Sequence, residues 1–348
     1  MANPRWRIRP EGSNWGEFGP NDQWGRLNLI TPERRRGGLA AATEGISFCL
    51  SLPLDHPGGN LLNPRRHPPV IRPTLRDGQP NFNCTLGPDS TDIVSDDLAL
   101  LHLQYSTQWD SLAHVGALFD ADGDGVAERL YYNGFRAGVE ILGPSDPGEA
   151  GALGPIGPQR TSNATALGIE NMAAHGVQGR GVMVDLRAHF GDARKLVGHA
   201  ELMAVLEADQ VVVEPGDMLC LHTGFAQRIL EMGGKPDPAV LHNACAALDG
   251  RDRRLLDWIT QSGLAVIVAD NYAVEAHPAG PGTEKCCSTL PLHEHCLFKN
   301  GIHLGELWHL TPLAEWLRAH RRSRFLLTAP PLRLPGAVGS PVTPIATV

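Results

Sequence analysis

Residues 211–225 read VVVEPGDMLCLHTGF. The β-branched run 211–213 predicts a strand, Pro215-Gly216-Asp217 supplies turn chemistry, and 218–222 predicts a second, buried strand ending near Thr223-Gly224. Upstream, GRGVMVDL at 179–186 has the continuous apolar character of a buried strand opened by glycines, and 199–208 is expected to be helical. Downstream, helices are expected to about Met232 and over about 252–262, and LAVIVAD at 264–270 reads as a buried strand whose end delivers Asp270. The tail continues with a strand in GIHLGEL, a helix from Thr311 to His320, a strand in RFLLTAPPL and an extended GSPVTPIATV. Strands alternate with helices, yet several lie close enough in sequence to be antiparallel neighbours. The expected class is α/β with a mixed β-sheet.

Working toward the N-terminus, one domain over 1–348 is expected, with an N-terminal extension of about 1–45 and a long Pro-rich loop over about 55–90. Thr31 is placed to cap a helix with Pro32 at its first position and Glu33 in its first turn. ISFCLSLPL at 46–54 and the segment 97–106, containing ALLHLQYS, read as strands, and YYNG at 131–134 as a short strand or turn. Asp120-Ala121-Asp122-Gly123-Asp124-Gly125 has the look of a calcium loop, but its twelfth position is Tyr131 where a bidentate glutamate is needed. A tight acidic turn is the better reading.

A 348-residue chain with 42% hydrophobic residues has enough apolar side chains for a sizeable core. A formal charge of −8 with pI near 6.0 argues against nucleic acid as a partner. The basic runs 34–36 and 318–324 suit solvated helical faces. The first residues carry no apolar leader, and the apolar runs are too short to span a bilayer, so a cytoplasmic protein without a membrane partner is expected. Seven cysteines at irregular spacing, with no Cys-x-x-Cys pair, read as reduced thiols. A zinc knuckle of Cys286, Cys287, His293, His295 and Cys296 is disfavoured, because adjacent cysteines seldom chelate one metal.

Two polar clusters stand out. In Gln104-x-Ser106-Thr107-Gln108-x-Asp110-x-x-x-His114, a strand through 104–110 would put two amides and a carboxylate on one face as the chain leaves the sheet. A satisfied polar network pinning a turn is the plainer alternative. In the second cluster, His293-x-His295 is followed by Glu306, a pairing suited to a divalent cation but also common by chance in a chain with fifteen histidines.

These segments occur in the order found in the cyclase family, whose members include bacterial kynurenine formamidases, isatin hydrolases and polyketide-ring cyclases. NDQWGRLNLITPERR, LQYSTQWDSLAHVG, YYNG, GRGVMVDL, VEPGDMLCLHTGF, VADNYAVE, LPLHEHCLFKNGIHLGE and APPLRLPGAVGSPVTPIA carry the resemblance, from residue 21 to residue 346. It implies a barrel-like core flanked by helices, of the swivelling β/β/α type. The family motif H-x-G-T-H-x-D-x-P-x-H falls on this chain with Gln104 and Gln108 at its two metal-binding histidines, and with Asp110 and His114 retained. The chain thus resembles a longer branch of the family that carries glutamines there.

On that resemblance, Gln104, Gln108, Asp110, His293 and Glu306 form a metal site, with His295 an alternative to His293. Manganese or zinc is the expected ion, with oxygen donors tilting the choice toward manganese, magnesium or calcium, or leaving the site empty. The implied reaction is hydrolysis of a small cyclic or aryl amide, lactam or lactone, with His114 as general acid/base and Asp110 beside it. A metal-free cyclase or isomerase using Gln104, Gln108 and His114, and a non-catalytic binder, are the alternatives. Trp109, Trp24, Tyr132, Asn133 and Thr223 are expected to contact the substrate, with Trp15 and Asn271 as lesser candidates. A homodimer or homotetramer is implied.

Overall fold

The computed structural model describes residues 5–151, 160–282 and 287–348. Its longest apolar runs lie side by side, because a strand buried on both faces needs cover from two layers. Nine strands form one curled sheet: β1 Ser47–Cys49, β2 Gln108–Asp110, β3 Gln178–Asp185, β4 Met218–His222, β5 Val266–Ala269, β6 His303–Glu306, β7 Arg324–Thr328, β8 Gly339–Pro341 and β9 Ile345–Thr347, ordered β1-β9-β7-β3-β4-β5-β6-β2-β8. β3 to β6 are mutually parallel. β7, β9 and β1 extend one side antiparallel, and β2 and β8 extend the other.

Alternate residues of the central strands enter different cores. Val182, Val184, Leu219, Leu221, Ile267 and Ala269 face one core, which includes Leu202, Val205, Leu255 and Ile259. Met183, Met218, Cys220, Val266 and Val268 face the other, with Leu313 and Leu317. The helices supplying this cover are α4 His199–Ala208 and α7 Arg253–Ser262 on the first face, and α9 Thr311–Ala319 on the second. Among the described residues the other α-helices are α1 Pro32–Ala40, α2 Ile169–His175, α3 Leu186–Phe190, α5 Phe225–Glu231, α6 Pro238–Leu241 and α8 Pro291–His293. Thr31 caps α1 by accepting from the Arg34 N–H, and Asp252 caps α7.

Several sequence expectations give way. Residues 211–213 do not pair, because β4 already has β3 and β5 on its two edges; Val211 packs in the core while Val212 is exposed. The Pro-rich stretch is not a plain loop: 70–73 pairs with 97–100, 75–76 with 79–80, and 84–85 with 93–94, as two-stranded ribbons. The strand expected over 97–106 therefore runs only from Asp97 to Leu100. The sheet strand starts only at Gln108, so Gln104 lies in a turn rather than on a strand face with Gln108 and Asp110. Residues 291–299 are helical, closing with a π-helical turn Glu294–Lys299, so His293 and His295 do not share a strand face. His295 turns away to Thr260 Oγ1 (2.9 Å) and Asn300. Of the disfavoured zinc knuckle, Cys286 lies outside the described residues. The acidic turn is present: Asp120 accepts from the Gly123 and Gly125 N–H groups at 2.7 and 2.9 Å.

Glu214 ties the start of the chain to the sheet by accepting from Arg34 and Arg180, with Arg324 3.8 Å away. The Arg180 and Arg34 hydrogen bonds hold its carboxyl down from 4.5 to about 2. A carboxyl with a depressed folded pKa stabilises fully above its unfolded value and loses that contribution as pH falls toward the folded one. Glu214→Gln should therefore lower the melting temperature at pH 7, and the gap to the wild type should narrow between pH 5 and pH 3. A gap independent of pH would show that the carboxylate charge is not what matters.

Candidate active site

The site begins with register. β2 runs antiparallel to β6 with Gln108 opposite Glu306, so their side chains emerge on the same face. Gln108 Nε2 donates to Glu306 Oε2 at 3.0 Å, and Asp110, two residues along β2, presents its carboxylate beside them. Trp109 between them faces the opposite side. There its ring meets Trp308 edge-on at 5.0 Å and its Nε1 donates to Ala329 O at 2.8 Å.

α8 brings the imidazole. His293 Nε2 lies 3.2 Å from Glu306 Oε1 and 4.0 Å from Asp110 Oδ2. Its other nitrogen, Nδ1, lies 2.8 Å from Glu275 Oε1, and Glu275 also accepts from the backbone N–H groups of Leu292 and His293, each at 3.0 Å. One carboxylate thus fixes both the first turn of the helix and the orientation of the ring. Glu275 closes the VADNYAVE segment just after β5 and went unrecognised in the sequence, where nothing in its spacing to His293 marks the pair.

His114 sits on the turn after β2. Its Nε2 is 3.8 Å from Asp110 Oδ1, and its Nδ1 is 3.5 Å from Gln104 Nε2. The structure therefore brings Gln104, Gln108, Asp110, His114, His293 and Glu306 to one place, but not in equal roles. Gln104 lies beside His114, packed on the backbone of Gly339, and its amide makes no hydrogen bond to Asp110, His293 or Glu306 among the described residues.

Burial sets the electrostatics. Burial alone would lower the His293 imidazole, but its hydrogen bonds to Glu275 and Glu306 prevail and raise it to about 10. Burial, reinforced by the charge of Asp110, pushes the Glu306 carboxyl up. Burial likewise holds His114 below its ordinary value, against the pull of Asp110.

Two buried oxygens in this cluster, Asp110 Oδ2 and Gln108 Oε1, have no hydrogen-bond partner. An unpaired buried carboxylate oxygen carries a large desolvation cost unless a cation meets it. Ligand atoms of Asp110, His293 and Glu306 all lie within 4.8 Å of one another. These donors fit a divalent cation, with the Glu275–His293 contact as the outer support such ligands need.

Above the cluster opens a cavity of about 510 Å³, reached by Gln104, His114, His293 and Glu306 and walled in part by Leu62, Tyr105, Tyr272 and Leu307. The residues expected to contact substrate do not line it. Trp109 is core. Tyr132 and Trp15 are also fully buried in the core. Trp24 is 41% exposed against the His175 ring. Asn133, with φ 58°, pins the N-terminal segment by donating to Gly19 O and Asp22 O and accepting from the Gly16 N–H. Thr223 and Asn271 are engaged inside the fold: Thr223 donates to the Asp270 carboxylate, and Asn271 to Ala246 O. Aromatic residues near a motif went to packing because their area is worth more in the core than in a wet cleft. The actual walls come largely from the Pro-rich stretch and the segment after β5.

The match to known proteins follows this geometry. The fold is that of a hydrolase or cyclase type of enzyme, with its polar cluster at the edge of a curled mixed sheet. The chain belongs to the cyclase family, whose model matches residues 50–276. It is similar to a crystal structure described as a novel cyclase, at 30% identity and TM-score 0.73 over 97% of each chain. It also resembles in fold isatin hydrolase A from Ralstonia solanacearum (15% identity, TM-score 0.54, 91% of this chain and 97% of that one). An isatin hydrolase bound to the product analogue thioisatinate is similarly related (14%, TM-score 0.53, 92% and 99%). No curated protein matches the sequence.

Removing Glu275 would leave two backbone N–H groups and the His293 ring nitrogen buried without their acceptor. Glu275→Ala should cost about 3 kcal/mol or more in urea denaturation, and Glu275→Gln less, because its amide oxygen still accepts. Equal losses for the two variants would mean that the negative charge, and not the acceptor oxygen offered to these donors, is what Glu275 contributes.

Proposed function

We propose that the chain is a metal-dependent hydrolase that opens a small cyclic or aryl amide, lactam or lactone, using His114 as general acid/base. The observation that carries this reading is the buried pair of partnerless oxygens, Asp110 Oδ2 and Gln108 Oε1, beside His293 and Glu306. Asp110, His293 and Glu306 would hold the cation, with Gln108 supplying an amide to the same cluster. Three oxygen donors against one imidazole favour manganese over zinc. A cation there supplies Lewis-acid polarisation of a carbonyl and eases the ionisation of water.

The chain's own groups do the remaining work. His114, kept neutral near pH 7 by its burial, takes a proton from the attacking water and returns it to the departing nitrogen or oxygen. Asp110, 3.8 Å from His114 Nε2, stabilises the imidazolium formed between those transfers. Gln104 flanks the other ring nitrogen and holds the ring facing the cavity. Tyr105, Tyr272, Leu62 and Leu307 offer an apolar wall to a ring-shaped substrate and limit access of bulk water.

The exposed apolar side chains Ile71, Leu75 and Ile93 on the ribbons suit a homodimer or homotetramer. Among the described residues no helix is long and apolar enough to cross a membrane.

Chelation by EDTA should abolish hydrolysis of a formanilide or lactone panel, and manganese should restore it. Turnover that survives complete chelation would favour a metal-free cyclase or isomerase built on Gln104, Gln108 and His114. Cation-dependent ligand binding without turnover of any compound would favour a binder. His114→Ala should lower kcat by about 10²–10⁴-fold while leaving manganese binding intact by titration calorimetry; parallel loss of both would make His114 a ligand instead.

A further inference from the structure

We infer that the substrate is an anion: a ring or aryl amide or lactone that also carries a carboxylate, gripped by Arg65, Arg66 and Arg194 at the mouth of the cavity. The inference rests on the hydrolase reading and narrows its substrate class.

All three arginines line the cavity above the carboxylate cluster. None of the three guanidinium groups has an ion pair with a carboxylate among the described residues, whereas Arg180, Arg187 and Arg318 are each paired with an aspartate. Three guanidinium groups are gathered around one opening, without a carboxylate partner among the described residues.

Charge counting separates the rim from the floor. Asp110, Glu275 and Glu306 bring three negative charges, which a divalent cation and Arg66 would offset. Arg65 and Arg194 are then in excess, and an entering anion completes the balance. Arg66 stands next to the reacting groups: one of its nitrogens donates to Gln104 O at 2.5 Å, and the Gln104 amide lies 3.5 Å from the His114 ring. Arg65 and Arg194 line the same cavity, together with Tyr272 and His277. A guanidinium fork matches a carboxylate in two parallel hydrogen bonds, the geometry that distinguishes arginine from lysine here. A volume of about 510 Å³ suits a one- or two-ring molecule whose ring lies against Tyr105 and Tyr272.

The chemistry balances without another reactant. Water oxygen bonds to the carbonyl carbon, the C–N or C–O bond breaks, one water proton passes through His114 to the departing atom, and the new acid ionises. The product therefore carries one more negative charge than the substrate.

Titration calorimetry on the manganese-loaded protein would compare phthalate with its diamide, and initial rates would compare 2-formamidobenzoate with formanilide. Phthalate should bind at least about tenfold more tightly than the diamide, and its affinity should fall with salt. Arg66→Gln and Arg194→Gln should each weaken phthalate by about tenfold without affecting the diamide; Arg194 guards against disturbance of Gln104 in the Arg66 variant. Equal affinities for the two ligands, or phthalate binding indifferent to both substitutions because the cation alone holds it, would overturn the inference. Arginine-dependent phthalate binding with neither amide hydrolysed would sink the hydrolase reading and leave the anion site standing. Equal kcat/KM for the two amides, unchanged by both substitutions, would do the reverse.

Discussion

The arrangement depends on one electrostatic constraint: two carboxylates, Asp110 and Glu306, are buried within reach of a single imidazole, His293. Water does not shield them, and the imidazole is already committed on its far side to Glu275. A buried like-charge pair is tolerated only where something positive meets it. That requirement explains why a glutamine amide is aimed at Glu306, why Asp110 keeps an oxygen without a partner, and why the cluster sits at the base of a cavity rather than in the core.

The fold serves this constraint by making the two sides of β2 do opposite jobs. Gln108 and Asp110 point to the site, while Trp109 anchors the strand against Trp308 and the backbone of Ala329. Because side chains alternate across a strand, a shift of one residue in the β2–β6 register would bury the carboxylate against tryptophan and put the indole in the cleft. The antiparallel edge formed by β2 and β8 is thus where sheet geometry becomes chemistry. The parallel centre of the sheet supplies the rigid background against which α8 and its glutamate are held.

Much of this was legible in the sequence. The runs at 179–186, 218–222 and 264–269 declared themselves as buried strands because both of their faces are apolar, and the cap Thr31 marked its helix. The family resemblance gathered Asp110, His114, His293 and Glu306, which strand periodicity alone could not have joined across nearly 200 residues. What escaped was set by tertiary context. Val211 to Val213 have strand propensity but no open sheet edge to join. Gln104 fell on a turn, since the chain bends before β2 rather than continuing into it. The aromatic residues chosen as pocket walls were claimed by packing, and the cavity took its walls from the Pro-rich stretch and its arginines instead. Glu275 left no local signal, because a carboxylate that orients an imidazole from eighteen residues away has no fixed spacing to betray it.

The most direct measurement is anomalous scattering at the manganese edge from crystals grown with the ion. A peak is expected enclosed by Asp110, His293 and Glu306, with the Asp110 Oδ2 oxygen among its nearest neighbours. A protein that binds stoichiometric manganese elsewhere, with no peak in that cluster, would contradict it.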